Sequence, residues 1–500
     1  MNKIFKIKNG AFILLAMFLL SSCEYLENEP KDGLTESEYW TTETDVFSTL
    51  TGAYSTLGEA GRNLFVLGEL RGDMVEFVRN SMGDEYNLSY AGIFENTYDI
   101  FKWKEYYKVI NYCNLIIDKA PGTQKADPTF DIESMNNYVA EAHFLRGLTY
   151  FYLVRLYYNI PYYEKGISSD SDEEIYTKQL NGHAVLNSLL PELERQSEIL
   201  DSYYGTLSES KGRATKYAMY ALLADMYLWL ERYDECEVKC KAIIEEGGYK
   251  LSSASNWFKK YYPGNAAESI FEIQFDGIDM KSKFYELTQV TSYSMYVHTE
   301  VWQETIEDNI HFGGNANENE RDWSAVGRVG IKKYYNKKAS TGYEPRSGTE
   351  QGEVNWIVYR LPEIYYMLAE CYSQRENPNF DEAHELIRTY RQDKLNLLMP
   401  SKVLINEEAS VYEDMIFEEK KIEYAFEGKR WFDLQRMARR NNWKRKNEAA
   451  ELVISKVYTP QKSVIKFRLN DSNYWYYPIH RDEIKINDLL IQNPAFYEGN

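Results

Sequence analysis

Between Arg213 and Gly248, apolar side chains recur at the three- and four-residue spacing of an amphipathic helix. Tyr217, Tyr220, Ala224 and Tyr227 fall on one face, and the pattern breaks at Arg232-Tyr233. Asp234 followed by Glu237 reads as a capping box that opens a second helix. That helix turns Cys236, Cys240 and Ile243 inward and stops at Gly247-Gly248, where a left-handed backbone costs least. Two short helices joined by a tight turn make a hairpin.

The bulky Tyr220, small Ala224, bulky Tyr227 and small Cys236 resemble a tetratricopeptide repeat. The spacing returns at Tyr365, Leu368, Ala369 and Tyr372, with a second helix restarting at Asp381-Glu382-Ala383 after the loop Glu376–Asn379. Gly147 and Tyr150 repeat the small-to-Tyr step, and their partner helix is displaced to Ala184–Leu200, beyond the acidic loop Ser168–Glu174. A fourth pair is expected between Thr44–Leu57 and Trp103–Ala120. A lone hairpin cannot bury its apolar face, so about four such pairs must stack. The expected fold is mainly α: a tetratricopeptide-like helical-hairpin stack with long loop insertions and a few short β-hairpins.

Short runs read as strands. Ser269–Phe275 alternates apolar and polar residues, Lys332–Asn336 does so weakly, and Lys466–Leu469 with Tyr474–Pro478 brackets an Asn-Asp-Ser turn as a hairpin. These small sheets are expected to lie on the helical body. Aromatics make up 15% of the chain and Tyr alone numbers 44, most at helical spacing and therefore core. Three stretches lack clean periodicity and mix aromatics with Asn and Gly: Met82–Tyr98, Gln289–Trp302 and Gly313–Arg328. Aromatics concentrated in polar insertions point to a binding surface.

The chain begins with a basic segment (Lys3, Lys6, Lys8) and the apolar run Ala11–Leu20, too short to span a bilayer comfortably. It ends Leu20-Ser21-Ser22-Cys23, which resembles a bacterial lipobox. Residues 1–22 are therefore read as a lipoprotein signal peptide and Cys23 as a lipidated N-terminus. The acidic residues that follow resemble the surface-export signal of Bacteroidetes lipoproteins. No Gly/Ser- or Pro-rich linker divides the remainder, so residues 23–500 are read as one domain. A net charge of −20 argues against nucleic acid. Cys113, Cys371 and the one-turn pair Cys236 and Cys240 are read as buried thiols.

Catalytic signatures are missing. The chain lacks H-E-x-x-H, G-x-S-x-G and a phosphate-cradling Gly loop, and its six His show no metal-ligand interval. The acidic run Asp170–Glu174 reads as a solvated loop before a calcium site. The chain is read as a non-enzyme with no metal and no cofactor.

Ile416–Met437 reads as a continuous helix around Glu423, Glu427, Gly428, Arg430, Trp431, Phe432, Asp433 and Arg436. Glu427 and Arg430 are three apart and placed to pair, while Trp431 and Leu434 face the repeats. The run resembles the hallmark of SusD-like (RagB/SusD) outer-membrane nutrient-binding lipoproteins. The closing Tyr477-Pro478-Ile479, Glu483-Ile484, Asn487 and Gln492-Asn493-Pro494 resemble that family's terminus, with His480 and Ala495 departing from it. Glu427, Arg430, Trp431 and Asp433 are read as a structural hallmark that locks the last helices onto the repeats. The resemblance implies a cell-surface lipoprotein, anchored in the outer membrane, that captures an oligosaccharide and delivers it to a SusC-like TonB-dependent transporter. Peptide cargo, or a repeat scaffold recruiting surface hydrolases, is the alternative. Sugar rings stack on aromatic faces and their hydroxyls need polar partners. The expected ligand residues are Trp323, with Arg321 nearby, Tyr293, Tyr296, Tyr86 and Tyr90, and Asp73 as a hydroxyl acceptor.

Overall fold

The structure, a computed structural model, describes residues 36–77, 87–88, 94–168, 176–288, 295–297, 331–340, 343–395, 408–457 and 459–497. Helices α1 (Glu43–Glu69), α2 (Lys104–Ala126), α3 (Ile132–Tyr157) and α4 (Gly182–Ser197) are followed by α5 (Lys216–Trp229) and α6 (Tyr233–Glu246). Further on come α7 (Leu361–Gln374), α8 (Phe380–Arg388), α9 (Ala409–Glu423), α10 (Arg430–Trp443), α11 (Lys446–Ser455) and α12 (Thr459–Leu469). The hairpin pairs expected from periodicity are present as α1–α2, α3–α4, α5–α6 and α7–α8, and contacts of α2 with α3, α4 with α5, and α6 with α7 join them into one row. The fold is mainly α, with few short strands.

The tyrosines that marked the repeat have a further role. Helix α5 is buried all round, so its rings reach across to neighbouring elements. Tyr220 donates to Glu198 (2.7 Å), Tyr227 to Glu194 (2.7 Å) and Tyr217 to the Glu246 carbonyl (3.0 Å). Each ring fills apolar space while its hydroxyl finds an acceptor, which is how Tyr is buried without penalty. Cys113, Cys236, Cys240 and Cys371 are buried free thiols.

Four strands matter to the site: β1 (Val75–Phe77), β2 (Ser269–Ile273), β3 (Met295–Val297) and β4 (Trp356–Arg360). β2 pairs antiparallel with β4 and β1 with β3. Every residue of β2 and β4 is buried, and β2 packs on α1 and α5. This pair is inside the core and does not lie on the helical body as expected.

Other local readings are corrected. Helix α6 begins at Tyr233 behind Arg232 with no side-chain cap. Glu237 instead meets Lys241 (2.6 Å) and Arg375 (2.9 Å), so the capping box is not formed. Lys332–Tyr335 is a helical turn, and only Asn336–Lys338 is a strand, paired with Tyr343–Pro345. The C-terminal hairpin is absent: Lys466–Leu469 ends α12, and Asp471 accepts from the Asn473 amide (2.9 Å) to open the short turn Ser472–Trp475. The continuous helix through Ile416–Met437 is broken between α9 and α10, where Phe426 (φ 67°) and Gly428 (φ 76°) are left-handed. The cause is distant. Glu69, from the end of α1, accepts from the amides of Phe426 (3.2 Å) and Gly428 (3.0 Å), so an α1 carboxyl replaces their helical acceptors.

Candidate functional site

The three irregular insertions each have one end rooted in the same place. The first leaves from β1 and the second runs into β3, and the backbones pair antiparallel with Glu76 opposite Tyr296. The third returns at Ile331, whose amide donates to the Thr288 carbonyl (3.0 Å) where the second departs. Aromatic rings pack beneath these roots. Phe284 lies 5.0 Å from Phe65, 5.4 Å from Tyr334 and 5.9 Å from Trp356 between ring centroids.

Buried charges clamp the roots, and here the hallmark residues take their places. Arg430 forks onto both oxygens of Asp73 (2.7 and 2.8 Å), two residues before β1. Lys456 donates to the carbonyls of Leu70 (2.7 Å) and Val75 (2.6 Å). Arg71 donates to the Tyr474 carbonyl (2.6 Å) and lies 4.0 Å over the Trp431 ring, which stacks on Trp475 (5.3 Å). Lys333, two residues after Ile331, donates to Glu427 (2.8 Å) and to the Glu423 carbonyl (3.1 Å). Arg360, at the end of β4, donates to Glu427 through Nε (3.0 Å) and one terminal nitrogen (2.8 Å), and to Glu423 through the other. Tyr261 gives Glu427 a further hydrogen bond (2.8 Å). Asp433 pairs with Lys420 and with Arg436 (3.0 Å).

Two sequence readings change accordingly. Glu427 and Arg430 do not pair with each other, because the break after Tyr424 sends them to different partners: Arg360 with Lys333, and Asp73. Asp73 is 1% exposed with both oxygens taken by Arg430, so it is a root clamp and not an acceptor open to a ligand. Trp431 packs against Arg71 and Trp475, on a helix that contacts α1. Cys23, Tyr86, Tyr90, Tyr293, Arg321 and Trp323 lie outside the described residues, as does the acidic run Asp170–Glu174; Tyr296 enters only through its backbone pairing. The partners that sequence reasoning missed are Glu69, Arg71, Lys333, Arg360 and Lys456. A charge at the end of the apolar run Trp356–Tyr359 was the one local hint. Among the described residues, no group of His, Cys, Asp and Glu is arranged to hold a metal ion. No helix there is long and apolar enough to cross a membrane.

The closing motif is structural too. Gln492 bridges the amide and carbonyl of Ile479 (2.8 and 2.7 Å), Tyr477 donates to the Leu67 carbonyl (2.8 Å), and Glu483 accepts from the Trp103 amide (2.8 Å). Beside it, Trp103, Tyr107, Tyr163, Tyr176 and Leu490 wall a cavity of about 250 Å³. Asn114 spends its amide on the Tyr163 and Lys165 carbonyls (3.1 Å each), and Asn111 bonds both the amide and carbonyl of Ile167 (2.7 and 2.9 Å). That cavity is therefore chiefly apolar.

The clamp carries a pH signature. Burial alone lifts a carboxyl, but Arg360 and Lys333 outweigh it at Glu427 and hold it at about 2, below the ordinary 4.5. Asp73 is lowered against burial by Arg430, and Asp433 by Lys420 and Arg436. A folded-state value below the unfolded one gives stability that is complete above the unfolded value and is lost as pH falls through the folded one. For Glu427 the interval from 4.5 to about 2 corresponds to about 3 kcal/mol. Glu69 acts oppositely: burial lifts it to about 7 against its two amide donors, so its contribution is lost as pH rises from 4.5 to about 7. The thermal midpoint, followed by circular dichroism, is expected to peak near pH ~5 and fall steeply toward pH ~3. A flat acid limb would contradict the clamp.

Comparison with known proteins places this architecture. The sequence model of the SusD family matches residues 223–496, and a second, described as starch-binding associating with outer membrane, matches residues 24–228. SusD-like protein P38 of Formosa agariphila is 24% identical over 482 residues, covering 87% of this chain and 92% of its own. SusD-like protein P25 of the same organism is 23% identical and covers 99% of both chains. A SusD homolog from Bacteroides thetaiotaomicron superposes with a TM-score of 0.73 at 18% identity, covering 92% of this chain and 99% of the other. A laminarin-binding SusD-like protein superposes with a TM-score of 0.66 at 18% identity, covering 91% and 99%. With the closing motif, the clamped hallmark and a family match over more than half its length, this chain belongs to the SusD family.

Proposed function

We propose that this protein is a cell-surface lipoprotein, anchored through Cys23 in the outer membrane, that captures an oligosaccharide and delivers it to a SusC-like TonB-dependent transporter. It acts by binding, without catalysis, and residues 23–500 work as one SusD-like domain. The observation that carries this reading is the common root of the three aromatic insertions: Glu76 pairs opposite Tyr296, and Ile331 is bonded to Thr288. A shared, buried and ion-paired base is what a preorganised binding face requires. The second family description and the laminarin-binding neighbour support a glycan as ligand. The helical row leaves long faces for a protein partner, which suits the transporter.

In this reading Trp323 supplies the main stacking ring, with Arg321, Tyr86, Tyr90, Tyr293 and Tyr296 around it. An aromatic contact contributes about 0.5–1.5 kcal/mol beyond its area, so Trp323→Ala is expected to weaken glycan binding roughly two- to tenfold with helicity unchanged. Calorimetric titration against a glycan panel, with circular dichroism as the folding control, checks this. Unchanged affinity in the folded variant removes Trp323 from the site. Binding of peptides and of no glycan would move the cargo to the peptide class.

A further inference from the structure

A second cleft, of about 290 Å³, opens where the α5–α6 turn meets the end of α3, the start of α4 and the end of α10. Its backbone is unusual. Seven non-glycine residues among those described have positive φ; four line this cleft, Tyr158, Glu231, Asn442 and Trp443, and Asn441 is next to them in the chain. Asn tolerates this region, but Tyr, Glu and Trp do so at a cost. Tyr158 (φ 64°, ψ −60°) closes a three-residue turn in which the Asn159 amide donates to the Tyr157 carbonyl (2.8 Å), the rare strained form of the γ-turn. Strained backbone persists where the surroundings over-determine it, and it concentrates at ligand sites. The cluster is drawn from three separate elements, the ends of α3 and α10 and the α5–α6 turn.

The side chains that the strained backbone presents are chemically consistent. Tyr158 and Trp443 are half-buried rings at the wall. Tyr158 is backed by Tyr476 at 5.1 Å and Trp443 by Trp475 at 6.1 Å between centroids. Arg439 lies 4.3 Å over the Trp229 ring and meets His183 Nε2 at 3.1 Å. Burial and Arg439 lower the His183 pKa, so the imidazole is neutral at pH 7. Glu231 and Asn442 are exposed, and their side chains make no hydrogen bond or ion pair among the described residues. One cation already engaged by a ring and an imidazole, facing one carboxylate, gives no net pull on a charged ligand. Ring walls with amide, carboxylate and imidazole groups at the edge match a neutral polyhydroxylated ring instead.

We propose that this cleft is a second saccharide-binding site, separate from the insertion face, and that its volume takes a monosaccharide or disaccharide unit. The ligand class rests on the glycan reading above; the location does not. Glycine at Glu231 and Asn442 removes both polar groups while keeping, and relaxing, the left-handed backbone. The double variant Glu231→Gly, Asn442→Gly is therefore expected to melt at or above the wild-type temperature, whereas loss of a merely structural contact would lower it. The mature chain is titrated calorimetrically with malto-, laminari-, cello- and xylo-oligosaccharides. Two classes of site are expected in the wild type, one weakened at least tenfold in the double-glycine variant and the other reduced by Trp323→Ala. Identical isotherms for wild type and double-glycine variant would overturn the cleft proposal while leaving the insertion face standing. Loss confined to the double-glycine variant would support the cleft and remove Trp323. No saccharide bound by the wild type would overturn both.

Discussion

Glu427→Ala is expected to leave little folded protein, and what folds should unfold at a markedly lower urea concentration. The Glu427 carboxylate is 1% exposed and receives Arg360, Lys333 and the Tyr261 hydroxyl. Its removal leaves two buried cations short of their counter-charge. Stranding a buried charge costs about 3–5 kcal/mol, against a usual total of about 5–15 kcal/mol for a whole domain. Glu427→Gln keeps the shape and an acceptor for Tyr261 but not the charge, so it separates the two contributions and should recover only part of the loss. The deficit should appear in soluble yield and in the urea midpoint, with glycan affinity per folded molecule close to wild type. A well-folded Glu427→Ala protein with weakened binding would instead place this residue at the ligand.

How much of this was legible depended on how far apart the partners sit in the chain. The helical hairpins were, because three- and four-residue spacing is a local property: Tyr220, Ala224 and Tyr227, and their counterparts at Tyr365–Tyr372, lie on helices as read. The hallmark run was also recognised as structural. Its wiring was not. A local rule pairs Glu427 with Arg430, three residues on, but Arg430 reaches Asp73 across 357 residues, and no spacing rule spans that. The same holds for Glu69, whose hold on Phe426 and Gly428 broke a helix that the local pattern continued. The C-terminal hairpin was misread because four residues of alternation around Lys466–Leu469 fit a helix face equally well. Asp73 looked like a ligand acceptor because a carboxylate before an aromatic loop offers that chemistry, and burial is not visible locally. Nothing in the sequence signals that Tyr158, Glu231 or Trp443 adopts a left-handed backbone, since these residue types disfavour it.

Gly68→Ala and Gly122→Ala are expected to move stability in opposite directions. Both glycines lie within helices, Gly68 in α1 and Gly122 in α2, where alanine gains up to about 1 kcal/mol of helix propensity. Around Gly122 an added Cβ meets nothing within 4 Å, so the gain is kept and Gly122→Ala should be more stable by about 0.5–1 kcal/mol. At Gly68 the same atom runs into the Gly428 carbonyl group, with its carbon at 2.8 Å, and into the Phe432 ring at 3.0 Å. A flexible side chain would swing aside, but this obstacle is backbone and it is pinned. The Gly428 amide is held by Glu69, and its Cα faces Phe65, so the chain cannot shift without breaking a buried hydrogen bond. Overpacking costs about 1–3 kcal/mol or more where neighbours cannot yield, which exceeds the propensity gain. Gly68→Ala should therefore lose about 2 kcal/mol net in urea unfolding at neutral pH. A Gly68→Ala protein as stable as wild type would mean that the junction between α1 and the Gly428 turn is not the fixed contact on which the insertion roots are set.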